Sequence, residues 1–253
     1  MTSCIVPDWA AMPANVGALS TTRRGGVSAV PFDDGAGGGG LNLGSHVGDA
    51  ADSVMRNRAI LQAQLPGAPV WLNQVHGANV VDAATVIGVP DADASVATRP
   101  GVVCAIMTAD CLPVLFADRA GTVVGAAHAG WRGLAQGVLQ NTVARMRESG
   151  ATDITAWLGP AIGAQAFEVG PEVRAAFADL DPAAAEAFAM QPGGKYLADI
   201  YRLARRALAG CGVVPVEGGD FCTVGDASRF YSYRRDRVSG RMASLVWIRP
   251  ARP

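Results

Sequence analysis

The chain contains only three histidines, and each lies in a glycine-flanked or small-residue segment where a turn can present a side chain to a ligand. They are His46 in LNLGSHVGD, His76 in WLNQVHGANV and His128 in GAAHAGWRG. Imidazole is both the commonest metal ligand and the commonest general base. The cysteine to set beside them is Cys111 in TADCLPVL. Residues 112–117 and 122–127 read as two strands joined by a loop at 118–121. With that loop Ala117 faces Thr122 and, further down the ladder, Cys111 faces His128, on one side of the sheet with Cβ atoms about 4.5–5.5 Å apart. Pro113 removes a ladder donor and can end the regular pairing early.

A thiol and an imidazole so placed can share a hydrogen bond or a metal. With His76 the set becomes one Cys and two His, three ligands suited to Zn²⁺ with a fourth position left for water or substrate. No HExxH or CxxC spacing accompanies them, so two other readings of Cys111 stand beside this one. Free cysteines are commonly buried, inert packing. Alternatively Cys111 is a nucleophile activated by His128 and oriented by His76 or Asp110, without a metal. Cys104 lies mid-strand among Val and Ile and reads as core; Cys4, Cys211 and Cys222 read as structural or incidental.

The elements that must position these residues are those of an α/β protein. A helix is expected from Asp49 to Leu65, ended by Pro66-Gly67. PVWLNQVHGANVV reads as a strand, or two, broken near Gly77, and DADASVATRP as a polar loop. A buried strand is expected at 102–107, followed by the hairpin and then by a helix from Trp131 with an apolar face at Trp131, Leu134, Ala135, Val138, Thr142 and Met146. TAWLGPAIGAQAFEVG is a short strand and a Gly/Pro loop. Helices follow from Pro171 and from Asp199 to Gly210. The tail from Phe221 reads as two strands joined by an Arg-rich turn. Gly37–Gly40 cannot hold a regular element and is expected to be a mobile loop.

At 253 residues, half of them hydrophobic and 17% charged, the chain can bury a sizeable core. The expectation is one α/β domain over residues 1–253, a mixed sheet with flanking helices. The net charge of −1 gives no reason to expect nucleic acid as a partner. No stretch reads as a signal peptide or a membrane span. Five scattered cysteines without a CxxC pair do not form a disulfide framework, so a cytoplasmic enzyme with reduced thiols is expected.

NQVHG, TADCLP, AHAGWRGL, WLGPAIG…FEVG and FYSYRRD…GRMASLVWI, in that order and preceded by TTRRGGVS and LNLGSHVGD, resemble the YfiH family. Its members are labelled laccase-domain, multicopper polyphenol oxidase or peptidoglycan-editing-factor proteins. The resemblance covers nearly the whole chain, with Gly37–Gly40 standing out as a local insertion. It implies a layered α/β domain similar to the core of cysteine-dependent deamidase toxins, and a Zn²⁺ site matching His76, Cys111 and His128. It further implies phosphorolysis of adenosine, inosine and methylthioadenosine, deamination of adenosine, and an editing role on peptidoglycan precursors. The laccase label meets a shortage of ligands. A multicopper oxidase uses about ten histidines, against three here. A lone copper site with Met107 as axial ligand is the remaining copper reading, and zinc is preferred.

On the phosphorylase reading, with purine nucleoside and phosphate as partners, Arg58, Arg234 and Arg235 are the candidate phosphate donors, because guanidinium forks match phosphate oxygens. Asn42, His46 and Gln74 are candidate contacts to ribose or base. Trp131 and Phe230 could stack on a purine, although core packing is the better account of both. A Cys-His amide hydrolase acting on peptidoglycan precursors is the alternative.

Overall fold

The computed structural model describes residues 4–251. Two mixed sheets lie face to face. One runs, edge to edge, Cys4–Ile5, Val16–Thr21, Met242–Ile248, Val103–Thr108, Pro69–Val70. The other runs Val216–Gly218, Ile154–Leu158, Leu112–Asp118, Val124–Ala129, Ala94–Ala97, Val80–Asp82. A small third sheet joins Glu168–Val169, Tyr196–Ala198 and Phe188–Met190.

The central strands are buried on both faces, which is why VCAIMT, LPVLFAD and MASLVWI read as unbroken apolar runs rather than alternating ones. Their alternate residues feed different cores. Cys104, Ile106, Leu115, Ala117, Val124, Ala126, Val246 and Ile248 fill the space between the sheets. Leu112, Val114, Phe116, Ala127 and Ala129 face outward, onto the helices Val138–Glu148 and Ile200–Gly210. On the opposite outer face Val103, Ala105 and Leu245 pack with Leu61 of the helix Ala51–Gln62. The result is four layers, α/β/β/α, the architecture expected when sheets with two apolar faces must be covered.

Most helix boundaries follow local chemistry. Asp199 accepts a hydrogen bond from the Arg202 N–H at 2.9 Å and starts the helix Ile200–Gly210. Pro171 opens Pro171–Ala178. The helix expected from Trp131 is two, Trp131–Ala135 and Val138–Glu148, because Gly137 takes a left-handed φ of 88° between them.

Four further expectations are corrected. The segment 91–100 is not a loop throughout: Ala94–Ala97 is a buried strand. The tail holds one strand, Met242–Ile248, preceded by turns and the short helix Tyr233–Asp236. In the hairpin Pro113, not Cys111, faces His128 and Ala117 faces Val124, so the loop falls at 119–122. Asp118 explains the shift: its carboxylate accepts the backbone N–H groups of Thr122 and Val123, each at 2.8 Å, and its own N–H bonds to the Val123 carbonyl. Finally, the Gly37–Gly40 loop is not loose throughout. Gly39 and Gly40 lie so close to the backbone of Gly26 and Phe32 that an added Cβ would collide with their carbonyl oxygens, while Gly37 faces open space.

Candidate metal centre

The two-residue slip in the hairpin leaves Cys111 and His128 on the same side of the sheet, since strand side chains repeat every two residues. Cys111 lies one pleat past the last ladder pair, beside Gly130. A Cβ at Gly130 would stand 3.0 Å from Cys111 Sγ and 3.1 Å from His76 Cδ2, so glycine keeps the space between the two side chains open. The ligand atoms of His76, Cys111 and His128 all lie within 4.8 Å of one another. Cys111 Sγ is 3.9 Å from His76 Nε2, and the two imidazoles meet edge to face at 4.8 Å between centroids.

The residue that organises this cluster is Asp93, which the sequence reading passed over. It is fully buried at the head of the strand Ala94–Ala97. One carboxylate oxygen, Oδ1, accepts from His128 Nδ1 at 2.7 Å and from the His76 backbone N–H at 3.0 Å. The other, Oδ2, accepts from the N–H groups of Val75 at 3.2 Å and Gly77 at 2.7 Å. Its main-chain carbonyl accepts the His128 N–H at 2.7 Å. Asp93 therefore fixes the ring of one histidine and the backbone of the other. The second task matters because His76 has φ 61°, a left-handed conformation that costs a non-glycine residue about 1–2 kcal/mol. The available signal was an acid placed between Ala92 and Ala94 at the start of the apolar run ASVA.

The electrostatics agree with the geometry. Burial raises the Cys111 thiol, but the positive charge of His128 and hydrogen bonds from His128 and His76 outweigh it and bring the thiol down to about 6. Burial disfavours protonated His128, yet the Cys111 thiolate and the Asp93 carboxylate lift it to about 9. Asp93 is also raised by burial, and its bonds from His128 and the Gly77 and His76 N–H groups hold it below the usual carboxylate range. The cluster thus favours a thiolate, the form that ligates metal.

A Cys and two His around a glycine-cleared gap, with one imidazole oriented through its far nitrogen by a carboxylate, fit Zn²⁺ in both donor chemistry and surrounding support. Held by the chain's own atoms, the same residues also form a Cys-His-Asp line. Asp110 is not part of it. Its carboxylate accepts from Thr223 Oγ1 at 2.6 Å and the Arg234 N–H at 2.7 Å, which removes it as the orienting group.

The cluster forms the floor of a cleft of about 440 Å³, which His46, Gln74, Met107, Thr108, Tyr233 and Arg241 also line. Of the residues nominated from sequence as substrate contacts, His46 and Gln74 reach it. Gln74 does so with its amide already engaged, donating to the Met107 carbonyl at 2.8 Å and accepting the Met107 N–H at 2.9 Å. Asn42 is fully buried and braces the fold. It donates to the Gly44 carbonyl and Asp49, and it accepts from the Gly44 and Arg241 N–H groups. Arg58 bonds the Leu43 carbonyl at 3.0 Å and stacks on Trp71.

Arg234 and Arg235 are turned away from the cleft, toward the Glu168 carbonyl and toward the carbonyls of Thr223, Val224 and Phe230. Phe230 is core, and Trp131 is half-buried against the core under Arg132. The cation that does line the cleft, Arg241, stood in GRMASLVWI without being singled out.

The family model described as multi-copper polyphenol oxidoreductase laccase matches residues 17–249. The chain is 54% identical to the purine nucleoside phosphorylase YfiH of Escherichia coli K12, over 98% of this chain and all of that protein. It is also 54% identical to a purine nucleoside phosphorylase of Pseudomonas aeruginosa, over 98% of this chain and 99% of the relative. Among solved structures, Neisseria meningitidis protein NMB0706 superposes with a TM-score of 0.90 at 53% identity, covering 98% of this chain and 99% of its own. The Bacillus licheniformis hypothetical protein YfiH gives 0.84 at 31% identity, covering 92% and 93%.

Proposed function

Because the chain belongs to the YfiH family of laccase-like domains, we propose that it is a purine nucleoside phosphorylase whose reaction takes place over His76, Cys111 and His128. The observation that carries this reading is the convergence of those three donors within 4.8 Å on the floor of a cleft of about 440 Å³. That volume is in the range of small-molecule sites. The lining contains Arg241 and His46 and no carboxylate among the described residues, which favours an anionic co-substrate.

In phosphorolysis a phosphate oxygen attacks the ribose carbon bonded to the base. The glycosidic bond breaks, its electron pair passes to the purine, and a proton completes the free base. His76, Cys111 and His128 would hold Zn²⁺, which when bound supplies Lewis-acid stabilisation of negative charge. Asp93 keeps His128 in one tautomer and one orientation. Tyr233 stands at the rim, about half exposed, as an aromatic surface for the base. Deamination of adenosine is less favoured in the same cleft, because the zinc deaminases use a glutamate as proton shuttle and no glutamate lines it among the described residues.

The Cys-His-Asp line favours one second reading, a metal-free nucleophilic Cys111 cleaving an amide, as on peptidoglycan precursors. One experiment separates these. Protein of known metal content is incubated with adenosine or inosine, with and without phosphate, with Cys111→Ala as control, and products are followed by chromatography. Free base appearing only with phosphate, lost on chelation and restored by Zn²⁺, supports the proposal. Inosine from adenosine in either buffer identifies a deaminase. Activity lost to iodoacetamide but untouched by chelation favours the nucleophile.

A further inference from the structure

We propose that Arg241 is the phosphate anchor of this site, a role that rests on the phosphorylase reading for its substrate but on the cleft itself for its geometry. Three cations are candidates from sequence, and none lines the cleft. Arg58 is held at its edge by the Leu43 carbonyl, the Met107 sulfur and the Trp71 ring, and Arg234 and Arg235 by backbone carbonyls outside it. Arg241 lines the same cleft as His46, His76, Cys111 and His128.

Its position is built. The backbone N–H donates to Asn42 Oδ1 at 2.8 Å, and Asn42 is itself fully buried and anchored to Gly44 and Asp49. The stem lies against Gly44, where an added Cβ would come within 2.8 Å of Arg241 Cγ. At the guanidinium, Nη1 donates to the carbonyls of Ser239 at 2.8 Å and Gly240 at 3.0 Å. Nε and Nη2 have no acceptor among the described residues. These two nitrogens carry the edge of the guanidinium fork that binds a phosphate through parallel hydrogen bonds. The positive charge reaches its neighbours. After burial, Arg241 is the largest influence lowering His46. A half-buried cation presenting its Nε–Nη2 edge, set in the same cleft as the cluster that would hold the reacting groups, has the chemistry of an oxyanion anchor.

The test measures inorganic phosphate binding to the metal-loaded protein by calorimetry, alongside steady-state phosphorolysis, for wild type, Arg241→Gln and Arg241→Lys. Loss of a charged, bidentate partner is expected to weaken phosphate binding about 10- to 100-fold in Arg241→Gln. Arg241→Lys keeps the charge without the fork and should fall in between. It also serves if the glutamine variant fails to fold for want of the caps on Ser239 and Gly240.

In kinetics the KM for phosphate should rise while the KM for inosine stays unchanged, a split that a merely structural role would not produce. Equal phosphate affinity in wild type and a folded variant overturns the proposal, as does a wild type that binds no phosphate. Arg241-dependent phosphate binding without turnover of any nucleoside leaves the anchor standing and removes the phosphorylase reading instead.

Discussion

Replacing Asp93 by asparagine alters no volume and removes one charge, yet it should disable the site. In the wild type Oδ1 serves the His128 ring and the His76 N–H, and Oδ2 serves Val75 and Gly77. An amide offers one acceptor atom and one donor, so either rotamer leaves two N–H groups facing an NH₂. A buried donor left without a partner costs about 1–3 kcal/mol, and with the three backbone donors only partly buried the loss is about 2 kcal/mol. For a chain of this size that lowers Tm by about 4 °C. Loss of the group orienting a metal-ligating histidine typically costs about 10- to 100-fold in metal affinity.

The assay pairs thermal unfolding of the metal-free protein with competition for Zn²⁺ against a chelating indicator. The acid limb adds a sign. The folded carboxyl is held below its unfolded value of about 3.9. Its contribution is therefore complete above about pH 4 and is lost as pH falls through the folded value. Asparagine has no proton to take up, so the variant's Tm should fall less steeply in acid. A variant that binds Zn²⁺ within about twofold of wild type and melts within about 1 °C of it would refute the orienting role.

Other outcomes follow from the same geometry. In metal-free protein the alkylation of Cys111 by iodoacetamide should reach half its plateau rate near pH 6 and stay level to pH 8, while Cys104, pushed up by burial to about 12, stays unmodified; peptide mapping by mass spectrometry reads both. Gly130→Ala places a methyl against Cys111 and His76 and should release most of the bound metal, measured by elemental analysis, while far-ultraviolet circular dichroism is unchanged. Asn42→Ala strips buried partners from Gly44 and Arg241 and should cost about 2–4 kcal/mol, seen as a fall of roughly 5–15 °C in Tm; a fall below about 2 °C would count against its bracing role.

What the chain disclosed about its site followed from periodicity and from ligand chemistry. Cys111 and His128 were brought together by a ladder whose register was off by two, and the inference survived because only an odd slip turns a side chain to the other face. The error lay in the loop, where Asp118 reaches across to the Thr122 and Val123 N–H groups, four and five residues on, and so sets a turn that loop length alone does not record. The four-layer arrangement was only partly legible, since runs such as VCAIMT and LPVLFAD say that a strand is covered twice without saying by what. Asp93 and Arg241 were illegible for a different reason. Their partners are contributed by segments distant in sequence, His76 and His128 for one and Asn42 for the other, and no local pattern records such a meeting. The two amides read as ligand contacts divide: Gln74 lines the cleft with its amide on the Met107 backbone, while Asn42 lies outside that lining and is bound to Gly44, Asp49 and Arg241.

Gln74 has a wider consequence. The short strand Pro69–Val70 pairs with Val103 and Cys104 and then departs, so residues 105–108 of Val103–Thr108, all buried, have no strand neighbour on that side of the five-stranded sheet among the described residues. The Gln74 amide fills one position there, supplying both a donor and an acceptor to Met107 as a passing strand would. One side chain thus completes the ladder from within the chain, and it lies two residues before His76. Removing it, as in Gln74→Ala, would strip both partners from the buried Met107 backbone and untie the His76 loop from the sheet, so that a loosened ligand would be the first symptom.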